Sequence, residues 1–157
     1  MPPPRTAPPV PPRYRSGATA GRRAGFSALT ALRSAGYRVI VAGNQTIRAG
    51  ELLRGLDLPA TVTATSGEWG VAKPDPLFFD RVVAAAECAP REVLYVGDHP
   101  VNDVHAAAAA GLSTAHLRRG PCGYLWADDP DLVRTADLRV ESLTDLADRL
   151  TTSRLPR

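Results

Sequence analysis

The first 50 residues of this 157-residue chain contain no aspartate or glutamate, although they contain eight arginines. Lysine is almost absent too, because Lys73 is the single lysine beside 18 arginines. Only two cysteines occur, Cys88 and Cys122, so a disulfide framework is excluded and a reducing, cytoplasmic location is expected. No apolar run approaches the roughly 18 residues that span a bilayer, so no membrane partner is predicted.

The N-terminal segment combines proline with arginine. Seven prolines lie in residues 1–20, and a composition of this kind buries too little apolar surface to fold, so residues 1–22 are predicted to be a disordered tail. Within residues 8–13, Pro8, Pro11 and Arg13 also match a ligand of polyproline-binding domains, which is the alternative function of this segment. The arginines are not interleaved with aromatic residues on one periodic face, so nucleic-acid binding is not predicted.

Strand and helix patterns alternate after this tail. Helices are predicted at residues 23–35, 46–56, 76–88, 101–110 and 143–150, and strands at 37–43, 61–65, 92–97, 113–117 and 136–140. This alternation predicts an α/β domain over residues 23–150 with a Rossmann-like, doubly wound parallel sheet. Residues 151–157 are predicted to be a second disordered tail.

Two acids follow the predicted strand in the stretch VLYVGDHPVNDV, residues 93–104. Asp98 and Asp103 could cap a turn and complement a helix dipole. They could equally face a ligand, because acids at the carboxyl end of a buried strand usually point into the crevice where ligands bind. Carboxylates held this close repel each other unless a cation lies between them, so a metal ion is the functional alternative.

Lys73 is informative because nearly every other basic position in the chain is arginine. An ammonium is a compact charge on a flexible stem, which suits a phosphate or carboxylate oxygen in a tight site. The residue follows a loop containing Gly67 and Gly70 and precedes a helix for which Asp75 is the predicted N-cap. This placement favours a functional role for Lys73.

Three segments carry a resemblance to a known family. VIVAGNQT, TSGEWGVAKPDP and VLYVGDHPVNDV resemble motifs II, III and IV of the haloacid dehalogenase-like (HAD) hydrolase superfamily, across roughly residues 25–150. The resemblance implies a small phosphorylated substrate or phosphate, with Mg2+ held by Asp98 and by Asp103 as an outer or supporting ligand. It also implies that Lys73 is catalytic and binds phosphate by neutralising the nucleophile and the phosphoryl oxygens.

The sequence departs from the family pattern in two places. The family's Asp-x-Asp motif, whose first aspartate attacks phosphorus, has no counterpart upstream because no aspartate precedes Asp57. The segment Asp129–Asp131 has the right spacing, but Pro130 between the acids indicates a turn. Gly43 replaces the family's motif II hydroxyl residue, so Asn44 is either a phosphate-binding donor or a turn residue.

Two functions follow from this pattern. The first is a HAD-like phosphohydrolase that is N-terminally incomplete, lacks its nucleophile strand and cap, and is inactive alone. Upstream genomic DNA is then expected to encode an apolar run ending in Asp-x-Asp. The alternative is a non-catalytic protein that binds phosphate and Mg2+ and uses its proline-rich tail for interaction. Without the nucleophile strand, the strands at 37–43 and 92–97 should face an unpaired gap, which predicts poor solubility or molten behaviour.

Overall fold

The computed structural model describes residues 12–152, with side chains from residue 20 onward. Every strand pairing in this part of the chain is parallel, and helices separate the strands. The strands are β1 (Ile40–Gly43), β2 (Val62–Thr65), β3 (Leu94–Gly97), β4 (Ser113–Leu117) and β5 (Leu138–Val140). The predicted Rossmann-like α/β fold is therefore confirmed.

The helices differ more from the prediction than the strands do. They are α1 (Pro12–Ser34), α2 (Ile47–Arg54), α3 (Ser66–Trp69), α4 (Pro76–Ala86), α5 (Ala106–Ala109), α6 (Gly120–Leu125), α7 (Pro130–Thr135) and α8 (Leu143–Thr152). A 3-10 turn covers Pro90–Glu92, and a π-helical segment covers Pro100–His105. The predicted helix at 101–110 is thus a π-helical segment followed by α5.

The sheet is interrupted between β1 and β3. β1 pairs with β2, and β3, β4 and β5 form a second sheet in that order, but no pairing joins β1 to β3 within residues 12–152. Although β1 has the apolar sequence IVAG, none of its four residues is fully buried. A β-branched run of this kind usually forms a strand that is covered on both sides. The interruption lies where the sequence predicted an unpaired gap.

Helices cover both faces of the β3–β4–β5 sheet. On β3, Leu94 and Val96 pack against a cluster that contains Leu146 of α8, whereas Tyr95 packs against α4 through Phe79. This alternation follows from the two-residue period of a strand. The Phe79 side chain is completely buried, which contributes about 1.5–3 kcal/mol of transfer free energy.

The two sheets share one core despite the interruption. Ala42 of β1 packs against the cluster formed by Phe78, Phe79 and Tyr95, so α4 contacts both sheets. On the opposite face, Leu143 and Leu150 of α8 contact the clusters on both sides of the interruption. Side-chain packing therefore holds β1 and β3 in one domain where backbone pairing does not.

Helix α1 begins well before the predicted start at residue 23. Its first residue, Pro12, suits that position because the missing N–H has no partner in a first turn. Ala28 and Leu32 are buried against α8. The domain boundaries at residues 22 and 150 remain predictions, and Pro8 and Pro11 lie outside the described residues. No helix within residues 12–152 is long and apolar enough to cross a membrane.

Candidate functional site

A buried ion pair joins two of the residues that the sequence singled out. Lys73 Nζ donates to Asp103 Oδ1 at 2.5 Å, and the two side chains are only 13% and 6% exposed. Lys73 lies in the loop before α4, where Asp75 caps the helix by accepting a hydrogen bond from Leu77 N. The loop thus delivers an ammonium to the carboxyl end of β3.

Asn44, at the end of β1, holds the backbone of that loop. Its Nδ2 donates to the Lys73 carbonyl at 2.9 Å, and its Oδ1 accepts from the Lys73 N–H at 2.8 Å. This paired contact couples the end of β1 to the position of the ammonium. The contact with phosphate that the sequence suggested for Asn44 remains a prediction, since one Nδ2 proton is left for another acceptor.

The π-helical segment positions the Asp103 carboxylate. The Val104 N–H bonds to the His99 carbonyl five residues earlier, which widens the turn, and Asp103 Oδ2 accepts from the His99 N–H at 2.9 Å. A Cβ added to Gly97 would lie 2.3 Å from Asp103 Cγ, so only glycine leaves room for this carboxylate. Short π-helical turns of this kind are frequent at functional sites.

Asp98 follows directly after β3, and its carboxylate differs from that of Asp103. Whereas both Asp103 oxygens accept hydrogen bonds, no hydrogen bond or ion pair from residues 20–152 engages the Asp98 carboxylate. A Cβ added to Gly120 would lie 3.5 Å from Asp98 Oδ2, and Gly120 has a left-handed φ of 69°. Asp98 is therefore the carboxylate available to a ligand, and Asp103 is already held by the protein.

Two buried side chains near the site were missed in the sequence. His116 of β4 is 1% exposed, and its Nε2 has no partner among the described residues. Burial lowers the pKa of His116, while its contact with the Asp98 backbone acts in the opposite direction. Its position opposite Gly97 in the β3–β4 register becomes visible only once the strands are paired.

Tyr95 is the second of these side chains. Its ring centroid lies 5.5 Å from Lys73 Nζ. Burial alone would lower the pKa of Lys73, but Tyr95 and Asp103 outweigh burial, and the pKa is raised. Burial also raises the pKa of the Tyr95 hydroxyl, against the opposing effect of Lys73. In the sequence Tyr95 is indistinguishable from an ordinary apolar strand residue.

An open cavity of about 550 Å³ lies beside Asn44, where β1 and β2 end. Its lining comes from the loops after both strands and from the loop that carries Lys73: Asn44, Gln45, Thr46, Ser66, Gly67, Gly70, Val71 and Ala72. Ser66 Oγ is already bonded to the Gln45 backbone, and Thr46 caps α2. The cavity therefore adds space beside Asn44 but few free polar groups.

The Asp129–Asp131 segment lies outside this arrangement. Asp129 caps α7 by accepting from two backbone N–H groups, and Asp131 pairs with Arg134 on the same helix. These are the roles of a turn and a helix start, as Pro130 predicted. Within residues 12–152, no group of three or more His, Cys, Asp or Glu side chains is placed to hold a metal ion.

Together, the site offers a compact buried cation from the loop before α4, and a fixed and a free carboxylate that both follow β3. The Lys73 ammonium could donate to a phosphate oxygen, and Asp98 would be the residue to hold a hard cation, which would offset negative charge on that phosphate. Among the described residues, no strand lies between β1 and β3, so no carboxylate is supplied from that place in the sheet. The arrangement can therefore bind and neutralise phosphate, but it contains no evident group to attack it.

Comparisons with known proteins give matches to one family and to phosphatases. A family model described as HAD-hydrolase-like matches residues 70–146, which include Lys73, Asp98 and Asp103. The chain is 40% identical over 81 residues to a phosphoserine phosphatase of Thermus thermophilus, a match covering 52% of this chain and 30% of that protein. It is 36% identical over 84 residues to a phospholysine phosphohistidine inorganic pyrophosphate phosphatase of Danio rerio, covering 54% and 30%.

A solved structure extends the similarity to 82% of this chain. The crystal structure of a HAD phosphatase from Thermococcus onnurineus matches with a TM-score of 0.67 and 24% identity, over 82% of this chain and 57% of that one. This likeness shows a shared fold. The matched region spans 30% of each of the two curated relatives, so most of their length has no counterpart in the match.

Proposed function

We propose that this chain is a member of the HAD-like hydrolase superfamily, whose family model matches residues 70–146, and that it forms the phosphate- and magnesium-binding part of a phosphatase site. Small phosphorylated compounds are the proposed substrate class. Both curated relatives are phosphatases by name, which supports this class without specifying the compound.

The observation that carries the proposal is the buried Lys73–Asp103 pair, taken together with an Asp98 carboxylate that no described side chain or backbone group engages. Burying an ion pair is costly, and replacing such a pair with apolar residues is often neutral or stabilising. A chain that keeps its single lysine in this position therefore gains little stability from it. A ligand-binding role accounts for the pair better than stability does.

Each residue has a distinct proposed role. Lys73 binds a phosphoryl oxygen and offsets its charge, and Asn44 places Lys73 and offers its remaining N–H to phosphate. Asp98 would hold the metal ion. Asp103, whose oxygens already accept from Lys73 and His99, acts as a supporting ligand and orients the ammonium. These assignments agree with the motifs of the family.

The oxygen ligands that the protein offers fit Mg2+, but only one of them, the Asp98 carboxylate, is free. This ion commonly keeps several waters and takes one or two carboxylates together with phosphate oxygens. Asp98 supplies a free carboxylate, and the glycine at position 120 leaves space beside it. Bound there, Mg2+ would neutralise negative charge on a phosphoryl group. Because the protein supplies so few ligands, we expect weak Mg2+ binding unless phosphate is present.

Catalysis needs a group that these residues do not provide. We propose that residues 12–152 alone do not turn over a phosphate ester, because positioning without a nucleophile leaves nothing to attack phosphorus. The unpaired edges of β1 and β3 are the place where a strand carrying that nucleophile would fit. A non-catalytic phosphate-binding protein is the second candidate. If the chain is such a non-catalytic protein, it should bind phosphate and Mg2+ in the same way and fold stably without an added strand.

Calorimetric titration with inorganic phosphate tests the proposal. Removing the Lys73 ammonium in Lys73→Gln should weaken phosphate binding by about 10-fold or more, since a charge-assisted hydrogen bond is worth roughly 1.5–3 kcal/mol. Arg81→Gln, which removes an exposed cation on α4, is the matched control and should bind phosphate like the wild-type chain. Equal affinities for all three proteins would contradict the proposal.

A further inference from the structure

A histidine ring caps the start of the π-helical segment. His99 precedes Pro100, the first residue of that segment, and its Nδ1 accepts a hydrogen bond from the Asn102 N–H at 3.2 Å. Caps in this position usually use a side-chain oxygen of Ser, Thr, Asp or Asn. Because Nδ1 accepts, the single proton of the neutral ring must lie on Nε2. The ring is therefore a fixed acceptor in the turn that carries Asp103.

The backbone of His99 also holds Asp103. The His99 N–H donates to Asp103 Oδ2 at 2.9 Å, and the His99 carbonyl accepts from the Asp103 N–H at 2.9 Å. The same carbonyl accepts from the Val104 N–H at 3.4 Å, the contact that widens the turn. Asp103 Oδ1 in turn accepts from Lys73 Nζ. One residue thus contacts both the backbone and the carboxylate that fix the ammonium.

The Asn102 N–H has a competing acceptor close by. A tighter turn would direct this N–H to the His99 carbonyl three residues earlier, as in a 3-10 helix. That carbonyl has two lone pairs, and the N–H groups of Asp103 and Val104 already use both. The His99 ring removes this competition by accepting the Asn102 N–H itself. Without the ring, the wide turn would have to compete with a tighter one in which the Asp103 carboxylate is displaced.

We propose that His99 is a positioning residue: by accepting the Asn102 N–H, its imidazole holds the wide turn that directs the Asp103 carboxylate at Lys73. The proposal rests on the phosphate-binding function of Lys73. A displaced carboxylate would leave the ammonium less well fixed for a phosphate oxygen. The role of the ring requires no contact of its own with phosphate or with a metal ion.

The hydrogen bond to the ring is directly measurable in the full-length chain. With 15N labelling, an N–H···N hydrogen bond gives a scalar coupling between the Asn102 amide nitrogen and His99 Nδ1. The 15N shifts of the ring also report which nitrogen carries the proton. We expect this coupling, with the proton on Nε2, in mildly alkaline buffer. A wild-type ring that carries its proton on Nδ1 overturns the proposal, whatever the variants do.

Two substitutions separate the acceptor from the ring. His99→Ala removes the acceptor, whereas His99→Asn supplies an amide oxygen that can cap the same N–H. Because Lys73 is the only lysine, selective 15N-lysine labelling gives one ammonium signal. In His99→Ala we expect the ammonium protons to exchange with water at least several-fold faster, and the affinity for inorganic phosphate to fall about 3- to 10-fold. His99→Asn should recover most of both losses.

His105→Ala is the matched control. His105 ends the same segment, and its side chain makes no hydrogen bond or ion pair with residues 20–152. This variant should leave ammonium exchange and phosphate affinity unchanged.

A merely structural role for the His99 ring predicts a different result. His99→Ala would then lower the melting temperature but leave ammonium exchange and phosphate affinity unchanged, which overturns the proposal. A folded His99→Asn variant whose ammonium protons exchange fast also overturns it, even if His99→Ala does not fold. Should the wild-type chain fail to bind phosphate, the proposed function fails. Ammonium exchange, measured without phosphate, still decides whether His99 positions Lys73 through Asp103.

Discussion

Lys73 Nζ and Asp103 Oδ1 lie 2.5 Å apart although 30 residues separate them in the chain, and both side chains are nearly excluded from solvent. The pair joins the loop before α4 to the π-helical segment after β3. It therefore ties together two of the three segments that resemble HAD motifs, and Asn44 ties in the third.

Removing one partner of the pair should be costly. Asp103→Leu leaves the Lys73 ammonium buried without its partner, and we expect a loss of about 3–5 kcal/mol in the free energy of unfolding, measured by urea denaturation. The double variant Lys73→Met, Asp103→Leu should recover part of this loss. Arg134→Ala, which breaks an exposed pair with Asp131, serves as the control and should change little. A small loss in Asp103→Leu would mean that the pair is solvated.

Gly97→Ala should disrupt the site through sterics alone. The new methyl group would lie 2.3 Å from Asp103 Cγ, so the carboxylate must move and its bonds to Lys73 and His99 must lengthen. Overpacking of this kind usually costs about 1–3 kcal/mol, and phosphate affinity should fall with it. The control Gly21→Ala adds a methyl group with nothing within 4 Å and should not destabilise the chain. Thermal melts and phosphate titration of both variants check this prediction.

Stability should fall in mild acid because of His116. Burial, its largest influence, holds the pKa of His116 below the usual 6.5 in the folded chain. Below that pH the unfolded chain takes up a proton that the folded chain resists, so stability is present above pH 6.5 and is lost as pH falls towards the folded pKa. Urea denaturation at pH 7.5 and 5.5 should give a smaller pH dependence for His116→Gln than for the wild-type chain. If the free energy of unfolding changes equally between pH 7.5 and 5.5 in both proteins, His116 is not the cause of the loss of stability.

The purified chain should not hydrolyse p-nitrophenyl phosphate faster than a buffer control, with or without added Mg2+. The reason is that, among residues 12–152, no strand fills the interruption between β1 and β3 and brings a carboxylate there to attack phosphorus. Magnesium-dependent turnover that disappears in Asp98→Asn would overturn this expectation. A variant carrying Asp129→Asn and Asp131→Asn would then show whether those acids participate, although they cap and pair within α7.

The sequence predicted the alternation of strands and helices, because apolar residues spaced by two positions indicate the buried face of a strand and those spaced by 3.6 indicate the buried face of a helix. It also singled out Lys73, because it is the only lysine of the chain, and Asp98 and Asp103, because they follow a predicted buried strand. The paired contact of Asn44 with the Lys73 backbone was not predictable, because it joins residues 29 positions apart. Tyr95 was predicted only to be part of a buried strand, because the residues next to it in the sequence are apolar.

Other differences have equally physical causes. Helix α1 starts at Pro12, a position that proline tolerates because a first helical turn leaves its N–H without a partner. The sequence predicted a later start because a cluster of prolines usually indicates that no helix forms. Helices α6 and α7 have only six residues each, too short for a helical period to emerge. The π-helical turn that places Asp103 depends on the contact with Gly97, which requires the tertiary fold.

The most direct test of the account is the linkage between Mg2+ and phosphate. Wild-type chain, Asp98→Asn and the exposed control Asp128→Asn should be titrated with MgCl2 by calorimetry, in the absence and in the presence of saturating inorganic phosphate. We expect Mg2+ binding that is strengthened by phosphate in the wild-type chain and in Asp128→Asn, and lost in Asp98→Asn with its thermal unfolding transition retained. Identical heats for all three proteins would mean that Asp98 is only a turn residue and would contradict the account.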